Sequence, residues 1–331
     1  MGRLGQSARN ATLVYVSNLH ATSLPRYADL PSGAQNGMTV KLQALPHLRV
    51  LIDAEVAHVT ISNPPINVLS FDLITELSSL LASLAAQASV RVIVFDSADP
   101  DFFIAHVDLT LGEDPDAIAA LMARAPEGLN PFQALNEQLR RQPQVTIVKL
   151  AGVARGGGAE FVTAADISFA TMGTSGLGQI EALMGIVPGG GGTQYLRDRL
   201  GRNRALEIVL GGALFDAETA ERYGWVNRAL PADQLHGFVD GLARDIAALA
   251  DGVVAAAKSA VPPADLQEGM LLESQAWGGL IFSPAAGALM AGGLGAGAQT
   301  TEGERDLEGL FRKLPPRWMS LALSPDLSPA G

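Results

Sequence analysis

Two glutamates beside glycine-rich turns carry the chemistry that residue type and spacing make most visible in this chain. Glu160 closes Gly156-Gly157-Gly158-Ala159-Glu160, and Glu181 lies in Gly178-Gln179-Ile180-Glu181-Ala182-Leu183-Met184-Gly185. The triplet sits between the apolar run Val145-Thr146-Ile147-Val148-Lys149-Leu150 and the helix-like Phe161-Val162-Thr163-Ala164-Ala165, so it reads as strand, turn, helix. Bare glycines there leave the first helical N–H groups open to an anion or a developing oxyanion, because those groups have no intrahelical partner and carry the positive end of the helix dipole. Oxyanion donors with two carboxylates suit proton chemistry beside a carbonyl. The same residues admit a plainer reading, in which the glycines only pack a helix onto a strand, Glu160 complements the dipole and Glu181 is a solvated turn residue.

The elements that must position these residues can be followed along the chain. Arg49-Val50-Leu51-Ile52-Asp53 and Val56-Ala57-His58-Val59-Thr60-Ile61 read as paired strands, and a helix follows from Phe71 to Gln87. Strand Val90 to Phe95 leads into a loop over Phe102 to Leu109, then helices near 115–141, then the strand before the glycine turn. Strands alternating with helices imply parallel α/β layers. After Pro188 the pattern is mainly helical, through Leu206, Ile208 and Val209 and again from Leu230 to Leu249. Ser274 to Thr301 carries no charge and is long enough to span a bilayer, but Pro284 and its glycines favour a helical subunit-contact region, with no membrane partner.

Residues 1–45 differ from the rest: mixed polarity, no acidic residue before Asp29 and no sustained period. We expect this segment to be loosely ordered. Its sparse arginines hint at a transit peptide without the amphipathic repeat one needs, and an extension ahead of a natural start at Met38 accounts for it as well.

Composition narrows the function. The chain has 331 residues, 48% of them hydrophobic, which is ample for a large core. A net charge of −11, with no Lys or Arg run, argues against a nucleic-acid partner. With no cysteine, disulfides, thiol catalysis and thiolate metal sites are excluded together. His20, His47, His58, His106 and His236 show no metal-ligand spacing, so no metal is expected. Ser175 in Gly173-Thr174-Ser175-Gly176-Leu177 lacks the closing glycine of a nucleophile elbow, and no GxGxxG with a following acidic partner appears after a strand.

From Val145 to Ala229 the chain resembles the crotonase, or enoyl-CoA hydratase/isomerase, superfamily. The resemblance rests on the GGGxE turn, Asp166-Ile167-Ser168-Phe169-Ala170, Gln179-Ile180-Glu181 and Ile186-Val187-Pro188-Gly189-Gly190-Gly191-Gly192-Thr193-Gln194. Upstream, Asn63-Pro64-Pro65-Ile66-Asn67-Val68-Leu69 and Phe103-Ile104-Ala105-His106-Val107-Asp108-Leu109 look like the family's first strand-to-helix turn and its acyl-CoA loop. The matches run in family order. They imply a crotonase (ClpP-like) α/β fold, with repeated ββα units over 46–229, a C-terminal helical region over 230–331, and trimers that pair into hexamers.

The resemblance also implies roles. Backbone N–H groups of Val107 and Gly157 form the oxyanion hole, while Glu160 and Glu181 hold and deprotonate the attacking water and deliver a proton to C2 of a 2-enoyl-CoA. Ala105, His106, Asp108, Leu109, Gly156, Pro188 and Gly189 are expected to border the CoA thioester, which is substrate and not cofactor; a cytoplasmic enzyme without other cofactors is expected. The dipole at the helix start predicts that Glu160 ionises more readily, leaving Glu181 to deliver the proton. Alternatives are an enoyl-CoA isomerase, another crotonase reaction, or a CoA-thioester-binding protein without turnover. Some residues depart from the family pattern: His106 stands where glycine is usual, Val107 is bulky, and Ile180 replaces a common proline. Arg155 is expected to pair with an acidic substrate group or with Asp166. Gly189 to Gly192 could cradle a phosphate, but the family reading makes them a helix start that shapes the acyl pocket.

Overall fold

The computed structural model describes residues 12–14 and 45–314. Most of the expected 1–45 extension, including Met38, lies outside the described residues, while β1 (Thr12–Val14) pairs antiparallel with β2 (Leu48–Asp53). From β2 the chain builds ββα units. The first is β2, β3 (Val56–Ile61) and α1 (Phe71–Ala85). The second is β4 (Val92–Ser97) and β5 (Phe102–Ile104) with α2 (Pro115–Met122) and α3 (Pro131–Arg140). The third is β6 (Val145–Leu150), β7 (Val153–Arg155) and α4 (Gly157–Ala164), and the fourth β8 (Ile167–Thr171), β9 (Gly176–Gly178) and α5 (Gly192–Leu200).

The two strands of each later unit enter different sheets. β4, β6 and β8 join a seven-stranded sheet of order β1-β2-β3-β4-β6-β8-β11, while β5, β7 and β9 lie in a four-stranded sheet completed by β10. Between these strands come α6 (Arg202–Gly211), β10 (Leu214–Asp216), α7 (Ala217–Tyr223) and β11 (Arg228–Leu230). In the third unit the chain passes from β6 in the large sheet to β7 in the small one and then through the glycine turn into α4, every residue of which is buried. Parallel strands β4, β6 and β8 are mostly apolar because both faces of the sheet are covered. One face meets the main core around Phe95, Phe161 and Leu77, and the other meets α8 (Ala232–Ala247) through Leu235, Val239 and Ala243.

Local signals explain the helix starts. The Ser70 side chain accepts the Leu73 N–H at 3.3 Å to cap α1, whose Leu73, Leu77, Leu80, Leu81 and Leu84 form one buried stripe. Each such side chain contributes about 1.5–3 kcal/mol on burial. Asn130 and Gln133 form a capping box at α3, with Pro131 at its first turn.

After α8 the chain is helical: α9 (Val253–Ala260), α10 (Gln267–Ile281), α11 (Pro284–Gly295), α12 (Thr301–Glu304) and α13 (Leu307–Arg312). α10 and α11 meet at 74°, and no single helix among the described residues is long and apolar enough to cross a membrane. Ala286, Ala298, Leu307 and Phe311 pack on Ile180, Met184 and Ile186, so the C-terminal helices buttress the turn that carries Glu181.

Candidate active site

Strand β7 turns into α4 at Gly156, whose φ of 48° lies where L side chains are strained. The next glycine allows a close approach. A Cβ on Gly157 would stand 2.5 Å from Val107 Cγ2 and 3.3 Å from Leu69 Cδ2, so the turn lies directly against the loop that follows β5. Backbone hydrogen bonds fasten these segments: Arg155 N–H donates to Ala105 O at 3.1 Å, and Leu69 N–H donates to His106 O at 2.8 Å.

Those bonds bear on the two expected oxyanion donors. The Val107 N–H shares a peptide with His106 O, and the Gly157 N–H shares one with Gly156 O, which accepts the Glu160 N–H at 2.9 Å. A peptide whose carbonyl accepts a hydrogen bond is polarised and donates more strongly. As the first residue of α4, Gly157 also has an N–H with no intrahelical acceptor.

Both expected glutamates are buried beside this turn. Glu160, 2% exposed, accepts on Oε1 from the N–H groups of Gly190 at 2.8 Å and Gly192 at 2.9 Å. Glu181, 6% exposed, accepts on both oxygens from the Gln179 amide, at 2.9 and 3.1 Å with the amide nitrogen turned toward it. A Cβ on Gly156 would meet Glu181 Oε1 at 2.9 Å, and one on Gly157 would lie 3.9 Å from Glu160 Oε2. The carboxylates therefore flank the peptide that supplies the Gly157 donor.

A third carboxylate completes the cluster. Glu273, reaching in from α10, accepts from the Gly191 N–H at 2.5 Å, the Thr193 N–H at 2.8 Å, the Thr193 hydroxyl at 2.5 Å and the Gln133 amide at 3.1 Å. Four successive N–H groups at the start of α5 thus alternate between Glu160 and Glu273. The carbonyls of Gly189 and Gly190 accept from the Asn130 and Asn136 side-chain amides at 2.7 and 2.8 Å. The glycine run holds two of the protein's own carboxylates where a phosphate was considered.

The dipole-based expectation for Glu160 is corrected by this environment. Burial, then the neighbouring Glu181 and Glu273, push the Glu160 carboxyl well above the usual carboxylate range, outweighing its two backbone hydrogen bonds. Burial, with Glu273 adding to it, pushes Glu181 up to about 8. Glu273 is raised by burial too, but its four donors favour the ionised form, so it is the natural holder of the cluster's negative charge. Glu160 and Glu181 then titrate as a dyad able to hold and exchange a proton.

The remaining sequence candidates divide. Ala105 and Gly156 lie within the hydrogen-bonded frame of the site, and the buried His106 faces away into the protein, its Nε2 2.9 Å from Glu304. Asp108 accepts from the Thr110 N–H and hydroxyl at 2.9 and 2.8 Å, and the Leu109 N–H donates to Gln299 at 2.5 Å. Pro188 and Gly189 are buried, and a Cβ on Gly189 would meet Trp277 Cδ1 at 2.7 Å. Arg155 pairs with Glu308 at 2.7 and 3.0 Å and not with Asp166, which is instead held by Lys258 and Thr146. The groove lined by Ser78, Leu121, Arg124, Gln138 and Met270 touches none of Glu160, Glu181, Val107 and Gly157.

The sequence model of the enoyl-CoA hydratase/isomerase family matches residues 52–273, a stretch that contains this whole cluster. The chain belongs to that family. A Mycobacterium tuberculosis protein assigned as the enoyl-CoA hydratase echA8 is 31% identical over 225 residues, 67% of this chain and 84% of its own. The short-chain-enoyl-CoA hydratase of Clostridium acetobutylicum is 27% identical over 234 residues, covering 68% of this chain and 86% of its own. A crystal structure from Streptomyces avermitilis, assigned as an enoyl-CoA hydratase, superimposes with a TM-score of 0.80 at 61% identity, covering 81% of this chain and 98% of the other. The fold is accordingly the crotonase fold.

Within this hydratase/isomerase frame, sequence reasoning missed Glu273, Asn130 and Asn136. The capping pattern Asn130-Pro131-Phe132-Gln133 was a readable signal for one of them. Glu273 had none, because its partners lie eighty and more residues away.

Proposed function

We propose that this enzyme adds water reversibly across the C2=C3 bond of a 2-enoyl-CoA thioester, giving a 3-hydroxyacyl-CoA. The observation that carries the reading is the pair of buried carboxylates, Glu160 and Glu181, flanking the Gly157 peptide, with the Val107 side chain packed against Gly157. The thioester oxygen sits between the Val107 and Gly157 N–H groups. As water oxygen bonds to C3, the C2=C3 pair moves toward C2 and the thioester, and negative charge gathers on that oxygen. Each donor aimed there lowers the barrier by about 3 kcal/mol. One member of the dyad takes a proton from the water and the other gives one to C2, so the proton count closes within the pair; such general acid–base help contributes ~10² to 10⁴-fold.

Glu273 and the asparagines hold the start of α5 so that Glu160 stays beneath the Gly157 peptide. Coenzyme A enters as part of the substrate, and the reaction uses no electron carrier. We also read the exposed Val261, Leu272 and Phe282 of the C-terminal helices, 80%, 60% and 83% accessible in a single chain, as a subunit-contact surface of a trimer. Light scattering on the purified protein measures that directly.

Loss of conjugated thioester absorbance on a short and a medium 2-enoyl-CoA tests the reaction. Rapid loss by the wild-type enzyme, abolished by Glu181→Gln, is the expected result. No loss, with migration of the double bond in a 3-enoyl-CoA, would replace hydration with isomerisation.

A further inference from the structure

A short C-terminal segment, residues 299–308, grips both backbone segments that supply the oxyanion donors. Gln299 Oε1 accepts the Leu109 N–H, and Glu304 Oε1 accepts the Gln299 N–H at 2.9 Å. The same Glu304 oxygen faces His106 Nε2 at 2.9 Å, while His106 Nδ1 faces the Val107 carbonyl at 2.7 Å. Both ring nitrogens therefore face oxygens, so the ring bridges Glu304 and the Val107 carbonyl. On the other segment, the Arg155 guanidinium donates to Glu308 at 2.7 and 3.0 Å and lies 3.6 Å from Glu304 Oε2. His106, Arg155 and Glu304 are 2%, 1% and 0% exposed, so the Arg155 and Glu304 charges find their compensation inside this cluster and in Glu308. Although burial alone would raise it, the hydrogen bonds from His106 and Gln299 and the nearby Arg155 charge hold the Glu304 carboxyl below its ordinary value, as an anion.

The gripped residues adjoin the donors. His106 immediately precedes Val107, and Arg155 lies two residues before Gly157. Resting on the hydration reading above, we infer that Glu304 is a positioning residue for the oxyanion hole: through His106 on one side and Arg155 on the other, it fixes how the Val107 and Gly157 N–H groups converge on the thioester oxygen. The segment lies beyond residues 52–273, the stretch that the family model matches. Arg155 Nη1 and Glu304 Oε2 make no hydrogen bond and face each other at 3.6 Å as a buried ion pair.

Full-length Glu304→Gln tests the clasp, since the amide keeps the shape and one acceptor oxygen but loses the charge. Two readouts are needed: hydration of a short 2-enoyl-CoA, and the red shift of a bound aryl-conjugated enoyl-CoA, which reports polarisation of the thioester carbonyl. We expect kcat to fall about tenfold with KM within twofold, and the red shift to shrink. Glu160→Gln, by contrast, should lose turnover and keep the red shift. Glu308→Gln serves as the second variant, reaching the hole only through Arg155 and expected to move both readouts in the same direction, less far; if Glu304→Gln fails to fold, Glu308→Gln decides. Wild-type red shift and turnover retained in the folded variant would overturn the clasp. A wild-type protein showing neither would overturn the hydration reading itself, a result distinct from failure of the clasp.

Discussion

Substituting Gly157 by alanine should open the oxyanion hole while meeting Glu160 only at an ordinary contact distance of 3.9 Å. The new Cβ would fall 2.5 Å from Val107 Cγ2, whereas ordinary contact begins at 3.4 Å, so Val107 or the turn must yield by about 0.9 Å. A hydrogen bond near 2.9 Å lengthened by that much no longer qualifies as one. Losing one donor of this kind costs about 2.7–4 kcal/mol, or 10²–10³-fold in kcat. Gly157 is not in the left-handed region, and alanine favours the helix, so the fold should survive with a similar melting temperature. The assay is steady-state hydration of a short 2-enoyl-CoA by Gly157→Ala and by the double variant Gly157→Ala/Val107→Ala, which removes the clashing methyl. Relief of the clash should return at least tenfold of the lost kcat, a coupling typical of contacting residues. A Gly157→Ala enzyme within threefold of wild type, or a double variant no faster than the single, would refute the placement of the donors.

Three further outcomes follow from the carboxylate cluster. Glu160→Gln should lower kcat by ~10² to 10⁴-fold while leaving binding of a non-hydratable acyl-CoA near wild type by calorimetry. Because Glu181 is raised to about 8 in the folded protein, its contribution to stability is complete below its unfolded value of 4.5 and is lost as pH rises toward 8. Glu181→Gln should therefore melt higher relative to wild type at pH 8 than at pH 5, and wild-type kcat should fall above about pH 8 as the dyad loses its proton. Removing the Glu273 charge by Glu273→Gln should shift the alkaline limb of the kcat profile to lower pH, since that charge raises both Glu160 and Glu181; a drop in rate with an unmoved limb would make Glu273 purely structural.

The legible parts of this molecule were local ones. β6 spans Val145–Leu150, as its run of β-branched residues Val145-Thr146-Ile147-Val148 indicates. The helix expected to reach Gln87 ends at Ala85, where the Gln87 N–H turns back to Leu84 O, and the strand expected from Val90 starts at Val92 for the same reason: the Val90 N–H bonds to Gln87 O. The glycine triplet announced both its turn and the glutamate behind it. What could not be read was the ionisation of Glu160, since the helix dipole is a property of the local sequence while burial and Glu273 come from distant packing. The partner of Arg155 was hidden likewise, more than a hundred residues downstream in α13, as was the His106 to Glu304 pair.

The central claim, that one buried dyad adds water across an enoyl thioester held by two backbone donors, is tested most directly by product mass. Incubating a short 2-enoyl-CoA in water enriched in oxygen-18 with wild type, Glu160→Gln and Glu181→Gln should give labelled 3-hydroxyacyl-CoA at a rate about a hundredfold or more higher from the wild type than from either variant. Unlabelled substrate recovered from the wild type, or label incorporated equally by all three enzymes, would contradict it.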